Sequence, residues 1–438
     1  MKSMEAVRPT DSSLTDSKPP GVLSGERRCR RRHLLAAGFL ALWGPGLAVM
    51  LADTDAGSLV TAAQSGARWG YAMVLPQLVL VPVLYVVQEM TVRLGLLTGK
   101  GQGTLIREHF GRRWAMLSVG TLFLSATGAL VTEFAGIAGV GEMVGLPKDV
   151  TVSVTTVVLV GVAMTGSYRR VERVAVIVGL AELALVPAVV LSHPSMGALA
   201  AGFSRLPFGH GSYVYLLAAN VGAVIMPWMV FYQQGAIIDK RLPASAMRAE
   251  RHDTAVGAVL TQAVMVMMVL ALAATLGSHR GGGGLGTVGQ IAGALAPYIG
   301  GLASRLSIGL AVLGAALVAA LVASLAGAWG LAEVFGWDHS LNERPSRRSA
   351  KFYFAYAMAH VVGAGIVLAS IDLVGLVVDV EVMNALLLPI VLGFLLLLEA
   401  RALPAQDRMR GFRRFMVTAA CLVVMGFGVY MVPVLLTR

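Results

Sequence analysis

The chain has 438 residues, of which 56% are apolar and only 13% are charged. Soluble domains carry about twice that share of charge. The composition therefore excludes a soluble enzyme, a disordered protein and a fibrous protein, and it indicates a polytopic, all-helical membrane protein. The net charge of +11 is typical of basic cytoplasmic loops in such a protein, so it gives no reason to expect a nucleic-acid partner. The two cysteines, Cys29 and Cys421, predict no disulfide framework.

The first 33 residues are polar and end in a run of arginines from Arg27 to Arg32. We interpret residues 1–33 as a disordered basic tail that anchors the first span on the cytoplasmic side, near anionic lipid. The alternative is a targeting signal. That alternative is disfavoured because no small-residue cleavage site precedes a soluble domain.

A membrane-spanning helix needs about 20 apolar residues, because the hydrocarbon core is about 30 Å thick. The sequence predicts eleven such spans, and the first and the sixth contain helix-breaking residues. The eleven spans are Leu34–Ser65, Tyr71–Met90, Trp114–Val140, Val150–Met164, Val174–Leu191, Tyr213–Ile238, Thr254–Leu276, Leu306–Leu331, Phe352–Leu368, Val374–Leu398 and Phe415–Leu436.

Basic residues predict the orientation of these spans. Of the 35 Lys and Arg, all but six lie in the N-terminal tail or in the loops that lead from an even span to the next odd one. The six exceptions are Arg68, Lys148, Arg205, Arg280, Arg305 and Arg438. Because positive charge stays on the cytoplasmic side, we expect a cytoplasmic N-terminus and an external C-terminus in the cell membrane.

The breaks in the first and sixth spans have different causes. In the first span, the polar stretch Asp53–Ser58 contains two carboxylates, which are unfavourable in a membrane. In the sixth span, Pro227 cannot donate to the carbonyl four residues earlier, so backbone near Ala223 is left without its helical partner. Matched interruptions in two halves of a chain indicate a binding site at the bilayer midplane, within an inverted repeat of five plus five helices. The simpler alternative is two ordinary kinked helices.

Several short motifs are similar to those of the Nramp family of divalent metal transporters. They are Gly44-Pro45, Asp55-Ala56-Gly57-Ser58, Gln88 with Arg93-Leu94-Gly95, Thr98-Gly99-Lys100 and Ala223-Val224-Ile225-Met226-Pro227. The resemblance implies a LeuT-type fold with broken helices 1 and 6. It also implies a transporter core over residues 34–400, followed by a loop and an eleventh helix over residues 401–438.

The same resemblance implies a binding site for the transported metal. Asp55 matches the family's metal-binding aspartate, and Ser58 takes the place of its asparagine. Ala223 matches the position that offers a backbone carbonyl, and Met226 matches the thioether ligand. Carboxylate, hydroxyl and carbonyl oxygens suit hard divalent cations, whereas a thioether favours softer transition metals. The metal is then the substrate, and we expect no cofactor.

This sequence departs from the family pattern at the site itself. Ser58 is shorter than asparagine, which leaves room for water that Mg²⁺ retains. The two family histidines of helix 6 are replaced by Trp228 and Gln233, and neither replacement can take up a proton. We therefore expect Mn²⁺ or Mg²⁺ as substrate, with Fe²⁺ as a further candidate, and weak proton coupling. An alternative is that the chain resembles the Nramp-related magnesium transporter branch rather than the main Nramp family.

Other polar residues within the spans are candidates for the ion or proton route. Glu133 resembles the family's helix 3 acid, with a purely structural carboxylate as the alternative. Weaker candidates are Asp53, Asp379, Glu381 and Asn384. The only reason to expect a function for them is that polar groups within membrane spans usually have one. Glu89 lies four residues before Arg93, a spacing that predicts an ion pair on one helix face.

Two other functions remain open at this level. A sodium-coupled amino-acid symporter can have the same fold. Met226 would then lie next to the substrate carboxylate, for which a thioether is an unusual neighbour. A membrane enzyme would need a catalytic motif, and the sequence contains no phosphate-binding loop, zinc-protease motif or nucleophile elbow. The expected partners are therefore divalent metal ions and the lipid bilayer, and no feature indicates an obligate protein partner.

Overall fold

The computed structural model describes residues 49–50, 52–164, 183, 185–204, 206–276, 284–337, 346–347 and 349–436. The basic tail over residues 1–33, the Gly44-Pro45 motif and most of the fifth predicted span lie outside the described residues. Within the described part of the chain, all regular secondary structure is helical.

Fifteen α-helices are described. They are α1 (Ala56–Trp69), α2 (Val74–Thr98), α3 (Gln102–Phe110), α4 (Arg112–Met143), α5 (Lys148–Met164), α6 (Leu185–Leu191), α7 (Met196–Ser204), α8 (Gly211–Val224), α9 (Pro227–Asp239), α10 (Met247–Thr275), α11 (Val288–Ile299), α12 (Gly301–Phe335), α13 (Ala350–Ala369), α14 (Leu373–Arg401) and α15 (Gly411–Leu436).

Eight stretches of the described chain are long and apolar enough to cross a bilayer, counting α1 with α2 and α8 with α9. The pair α6 and α7 adds a ninth if its bend of 97° lies within one span. Helix α5 has 17 residues, which is near the lower limit for a span. The chain is thus a polytopic helical membrane protein, and the count of eleven spans stays a prediction.

Both predicted breaks are present, and each is shorter than expected. Residues 52–53 are helical, Thr54 and Asp55 are not, and α1 begins at Ala56. Helix α8 ends at Val224, and α9 begins at Pro227 after an extended Met226. Proline is favoured in the first turn of a helix, where the missing N–H has no partner to lose. Pro227 therefore has two effects: it interrupts the helix that ends at Val224, and it begins α9.

Helix α14 lies against both breaks. A Cβ built on Gly222 would lie 1.8 Å from the backbone carbonyl oxygen of Glu381. A Cβ built on Gly57 would lie 2.2 Å from the Oε1 atom of Glu381. Only glycine allows such a close approach, so these two positions bring the Glu381 turn of α14 into contact with α1 and α8.

We therefore expect Gly222→Ala to destabilise the fold, although alanine is normally favoured over glycine inside a helix by about 0.8–1.0 kcal/mol. The added methyl group must separate α8 from α14. The measurement is the melting temperature of the detergent-solubilised protein. Gly120→Ala is the matched control, because a Cβ at that helical position meets no atom within 4 Å. Equal melting temperatures for the two variants would contradict this account of the α8–α14 contact.

Candidate functional site

The first break is organised by Asp55, which is fully buried. Its extended backbone places the carboxylate at the N-terminus of α1, where Oδ1 accepts a hydrogen bond of 2.6 Å from the backbone N–H of Ser58. The other oxygen, Oδ2, is buried and has no hydrogen bond within the described part of the chain. One carboxylate oxygen thus caps the helix, whereas the other does not.

Ser58 joins the two breaks. Its hydroxyl lies 2.9 Å from the backbone carbonyl oxygen of Asp53 and 2.9 Å from that of Ala223. A single O–H donor serves both of these carbonyls. The Ala223 carbonyl has no helical donor, because residue 227 is proline. The hydroxyl oxygen of Ser58, the Ala223 carbonyl and the Asp55 carboxylate are therefore gathered around one point between α1 and α8.

Met226 occupies the second break, where its backbone is extended. Its sulfur accepts a hydrogen bond of 3.1 Å from the indole N–H of Trp228, and both side chains are fully buried. The residue that replaces the first family histidine thus holds the thioether. Trp228 offers a donor but no group that titrates, so it can position Met226 and cannot carry a proton.

Glu133 lies on α4 opposite the first break and is fully buried. Its Oε2 atom accepts a hydrogen bond of 3.1 Å from the backbone N–H of Ala56, and Thr132 lies 3.2 Å from Oε1. These contacts are compatible with a structural role, and the role of Glu133 in an ion or proton route stays a prediction. Glu133 fixes the N-terminus of α1 next to Asp55.

Glu381 belongs with this group, although the sequence did not rank it above Asp379. The side chain is fully buried, and its Oε1 atom has no hydrogen bond among the described residues. Asn384 donates to Oε2 at 3.1 Å and accepts a hydrogen bond of 2.8 Å from Ser125. Asn384 lies one turn after Glu381 on α14. It therefore orients the Glu381 carboxyl group, which lies next to Gly57.

The remaining candidates lie elsewhere. Asp379 is exposed and accepts a hydrogen bond from the hydroxyl of Tyr215, so it does not line the buried site. Asp53 is buried at the first break, and its backbone carbonyl accepts a hydrogen bond from Ser58. The amide of Gln233 bridges hydroxyls of α2 and α10, at 3.2 Å from Thr91 and 2.9 Å from Thr254.

The carboxyl groups of Asp55, Glu133 and Glu381 all lie around the start of α1, at Ser58, Ala56 and Gly57 respectively. No set of three His, Cys, Asp or Glu side chains in the described ranges is arranged to hold a metal ion. A cation at this point would therefore have mixed ligands, a carboxylate with hydroxyl, carbonyl and thioether groups.

The family model described as Nramp, natural resistance-associated macrophage protein-like, matches residues 46–433. The chain belongs to the Nramp family. The match includes both breaks and every residue of the site described above.

Comparisons with individual proteins also find similarity to divalent metal transporters. The divalent metal cation transporter MntH of Acidiphilium cryptum is 24% identical to this Nramp chain over 404 residues, which cover 88% of each protein. The MntH protein of Levilactobacillus brevis is 31% identical over 204 residues, and this alignment spans only 44% of each protein. The structure of the Eremococcus coleocola manganese transporter aligns with a TM-score of 0.72 at 18% identity, covering 95% of this chain and 90% of that one.

A second polar region of this Nramp chain lies in the C-terminal half of α2. The other end of this helix follows the 3₁₀ turn at Gly70–Met73. Glu89 is bound by both Arg251 and Arg413, each at 2.6 Å, and Arg93 is bound by Glu399 at 3.2 Å. The predicted pair between Glu89 and Arg93 is therefore replaced by pairs to α10, α14 and α15. Helical spacing identified two charged neighbours, but the partners come from distant parts of the chain.

Removing one member of the buried Arg93–Glu399 pair should destabilise the protein strongly. In Glu399→Gln, Arg93 stays buried without its charge partner, a loss of about 3–5 kcal/mol. The matched control is Glu108→Gln, which removes the exposed pair with Lys100 and should change the stability by about 0–1 kcal/mol. Thermal unfolding in detergent compares the two variants. If both melt at the wild-type temperature, the Arg93–Glu399 pair does not hold these helices together.

Proposed function

We propose that this chain transports divalent metal cations across the cell membrane by alternating access. The ion is held between the two breaks by the Asp55 carboxylate, the Ser58 hydroxyl, the Ala223 carbonyl and the Met226 thioether, with the Glu381 carboxyl group as a further neighbour. The observation that carries the proposal is the approach of Ser58 to the Ala223 carbonyl beside an unpaired carboxylate oxygen of Asp55.

The donor set favours Mn²⁺ or Mg²⁺ as substrate, with Fe²⁺ as a further candidate. Oxygen donors are the ligands that hard divalent cations prefer, and one thioether shifts the preference towards softer transition metals. Names of relatives support a divalent metal, and one structural relative is named a manganese transporter. Proton coupling is weak in this proposal, because Trp228 and Gln233 cannot take up a proton and Glu133 is engaged in capping α1.

The proposed architecture has eleven membrane-spanning helices, of which the first ten form two inverted repeats of five. The N-terminus lies in the cytoplasm and the C-terminus outside, because this orientation places most basic loops inside. Residues 1–33 then form a basic tail, residues 34–400 the transporter core, and residues 401–438 the loop and eleventh helix.

A sodium-coupled amino-acid symporter is the second candidate. The structure of MhsT in complex with L-phenylalanine aligns with a TM-score of 0.61 at 16% identity, a likeness that concerns the fold alone. The Asp55 carboxylate at the first break disfavours this function, because it would repel the carboxylate of an amino acid.

The direct test is ion uptake by proteoliposomes that contain an internal metal-quenched dye. We expect uptake of Mn²⁺ or Mg²⁺ by the wild-type protein and no uptake by Asp55→Ala, since Asp55 supplies the main charge for the ion. Asp149→Ala is the control, because Asp149 is an exposed carboxylate at the start of α5, and this variant should transport normally.

A pH-sensitive dye in the same liposomes should report little acidification during metal uptake. Uptake of an amino acid but of no metal would reject the proposed substrate class. Normal metal uptake by Asp55→Ala would reject the site.

Selectivity is tested at Met226. A thioether contributes little to Mg²⁺ binding but favours Mn²⁺, so Met226→Ala should weaken Mn²⁺ uptake more than Mg²⁺ uptake. The ratio of initial rates at equal ion concentrations is the measurement, and Met229→Ala, a buried methionine on the next turn of α9, controls for loss of packing. Equal loss for both ions would mean that Met226 only packs the site.

A further inference from the structure

An apolar groove lies between α4, α12 and α13, away from the ion site. Its volume is about 570 Å³, and its lining is almost wholly apolar, with Phe123, Leu331, Phe354 and Met358 among the lining residues. This volume is within the range of about 300–1,000 Å³ that is usual for small-molecule sites. Phe354 is 68% exposed, so the groove opens to the surroundings of the helix bundle, which in a membrane protein are lipid.

One end of the groove is basic and aromatic. Lys351 lines it, is exposed, and places its ammonium group 5.8 Å from the ring centre of Trp337. The Trp337 ring stacks on Phe335 at 5.2 Å. Tryptophan with a nearby lysine is typical of the level of lipid headgroups, so this end of the groove lies at the membrane surface.

Further positive charge surrounds this end. Arg347 is exposed just before α13, and Arg107 of α3 donates a hydrogen bond of 3.1 Å to the Val334 carbonyl near the end of α12. In the orientation proposed above, this connection lies in the cytoplasm. The cytoplasmic leaflet carries the anionic lipids that basic residues near a membrane attract.

The order of residues along α13 matches the shape of a lipid. Positions 351, 354 and 358 follow one another at helical spacing on one face, with the ammonium group at the surface end and apolar side chains further along. A headgroup at Lys351 would leave an acyl chain free to lie along Phe354 and Met358, where each buried CH₂ group favours binding.

We propose that this groove binds an anionic phospholipid of the cytoplasmic leaflet, with its phosphate on Lys351 and one acyl chain between α4, α12 and α13. This inference is independent of the transported ion. It depends on charge complementarity at the basic end and on apolar contact along the rest.

The test is native mass spectrometry of the full chain in detergent, with added phosphatidylglycerol or phosphatidylcholine of the same acyl chains. We expect the wild-type protein to retain phosphatidylglycerol in preference to phosphatidylcholine. Lys351→Gln should reduce retention of phosphatidylglycerol about fivefold, which corresponds to one cation near an anionic headgroup. It should leave phosphatidylcholine unchanged.

Two more variants complete the design. Ala350→Trp fills the mouth of the groove without changing any charge, and it should also reduce retention of phosphatidylglycerol. Arg112→Gln removes an exposed cation at the start of α4, outside the groove, and should have no effect. Equal retention of the two lipids, wild-type retention by Lys351→Gln, or an equal loss in Arg112→Gln would overturn the proposal.

Discussion

The fold depends on how backbone groups are satisfied where two helices are interrupted inside a membrane. The bilayer core offers no water, so each N–H and C=O at a break needs a partner within the protein. Thr261 donates a hydrogen bond of 2.6 Å to the Met50 carbonyl, and Ser58 serves Asp53 and Ala223. Glu133 accepts from the Ala56 N–H. These polar side chains are therefore needed for the fold before any ion arrives.

The same requirement places oxygen groups at the proposed ion site. Groups that compensate a broken helix are oxygen donors and acceptors held at fixed positions, and a divalent cation is bound by the same groups. Asp55 combines both functions in one side chain, since Oδ1 caps α1 and Oδ2 remains unpaired among the described residues.

The departures from the Nramp pattern are consistent with one another. Ser58 is too short to reach far from α1, and its hydroxyl lies between the two breaks. Trp228 binds the sulfur of Met226, and Gln233 is fully used by two threonine hydroxyls. Each substitution replaces a group that titrates or extends towards the ion with a group that holds the surrounding helices. The chain has kept the charge of the site and lost its titrating neighbours in α9.

The sequence alone determined the class of protein, the positions of most spans, the two breaks and the residues at their centres. Composition and helix-breaking residues are local properties, so the protein class and the two breaks could be predicted without a structure, and the resemblance to the Nramp family then predicted Asp55, Ser58, Ala223 and Met226 as the site residues. Only the tertiary structure decided which polar residues meet. Asp379 and Glu381 lie two positions apart on one helix, but one is exposed and the other fully buried against Gly57. Likewise, Glu89 and Arg93 suit one another by spacing, yet each binds a residue far away in sequence. Helical periodicity gives the relative direction of side chains, whereas the packing of α14 and α2 against their neighbours decides what each side chain contacts.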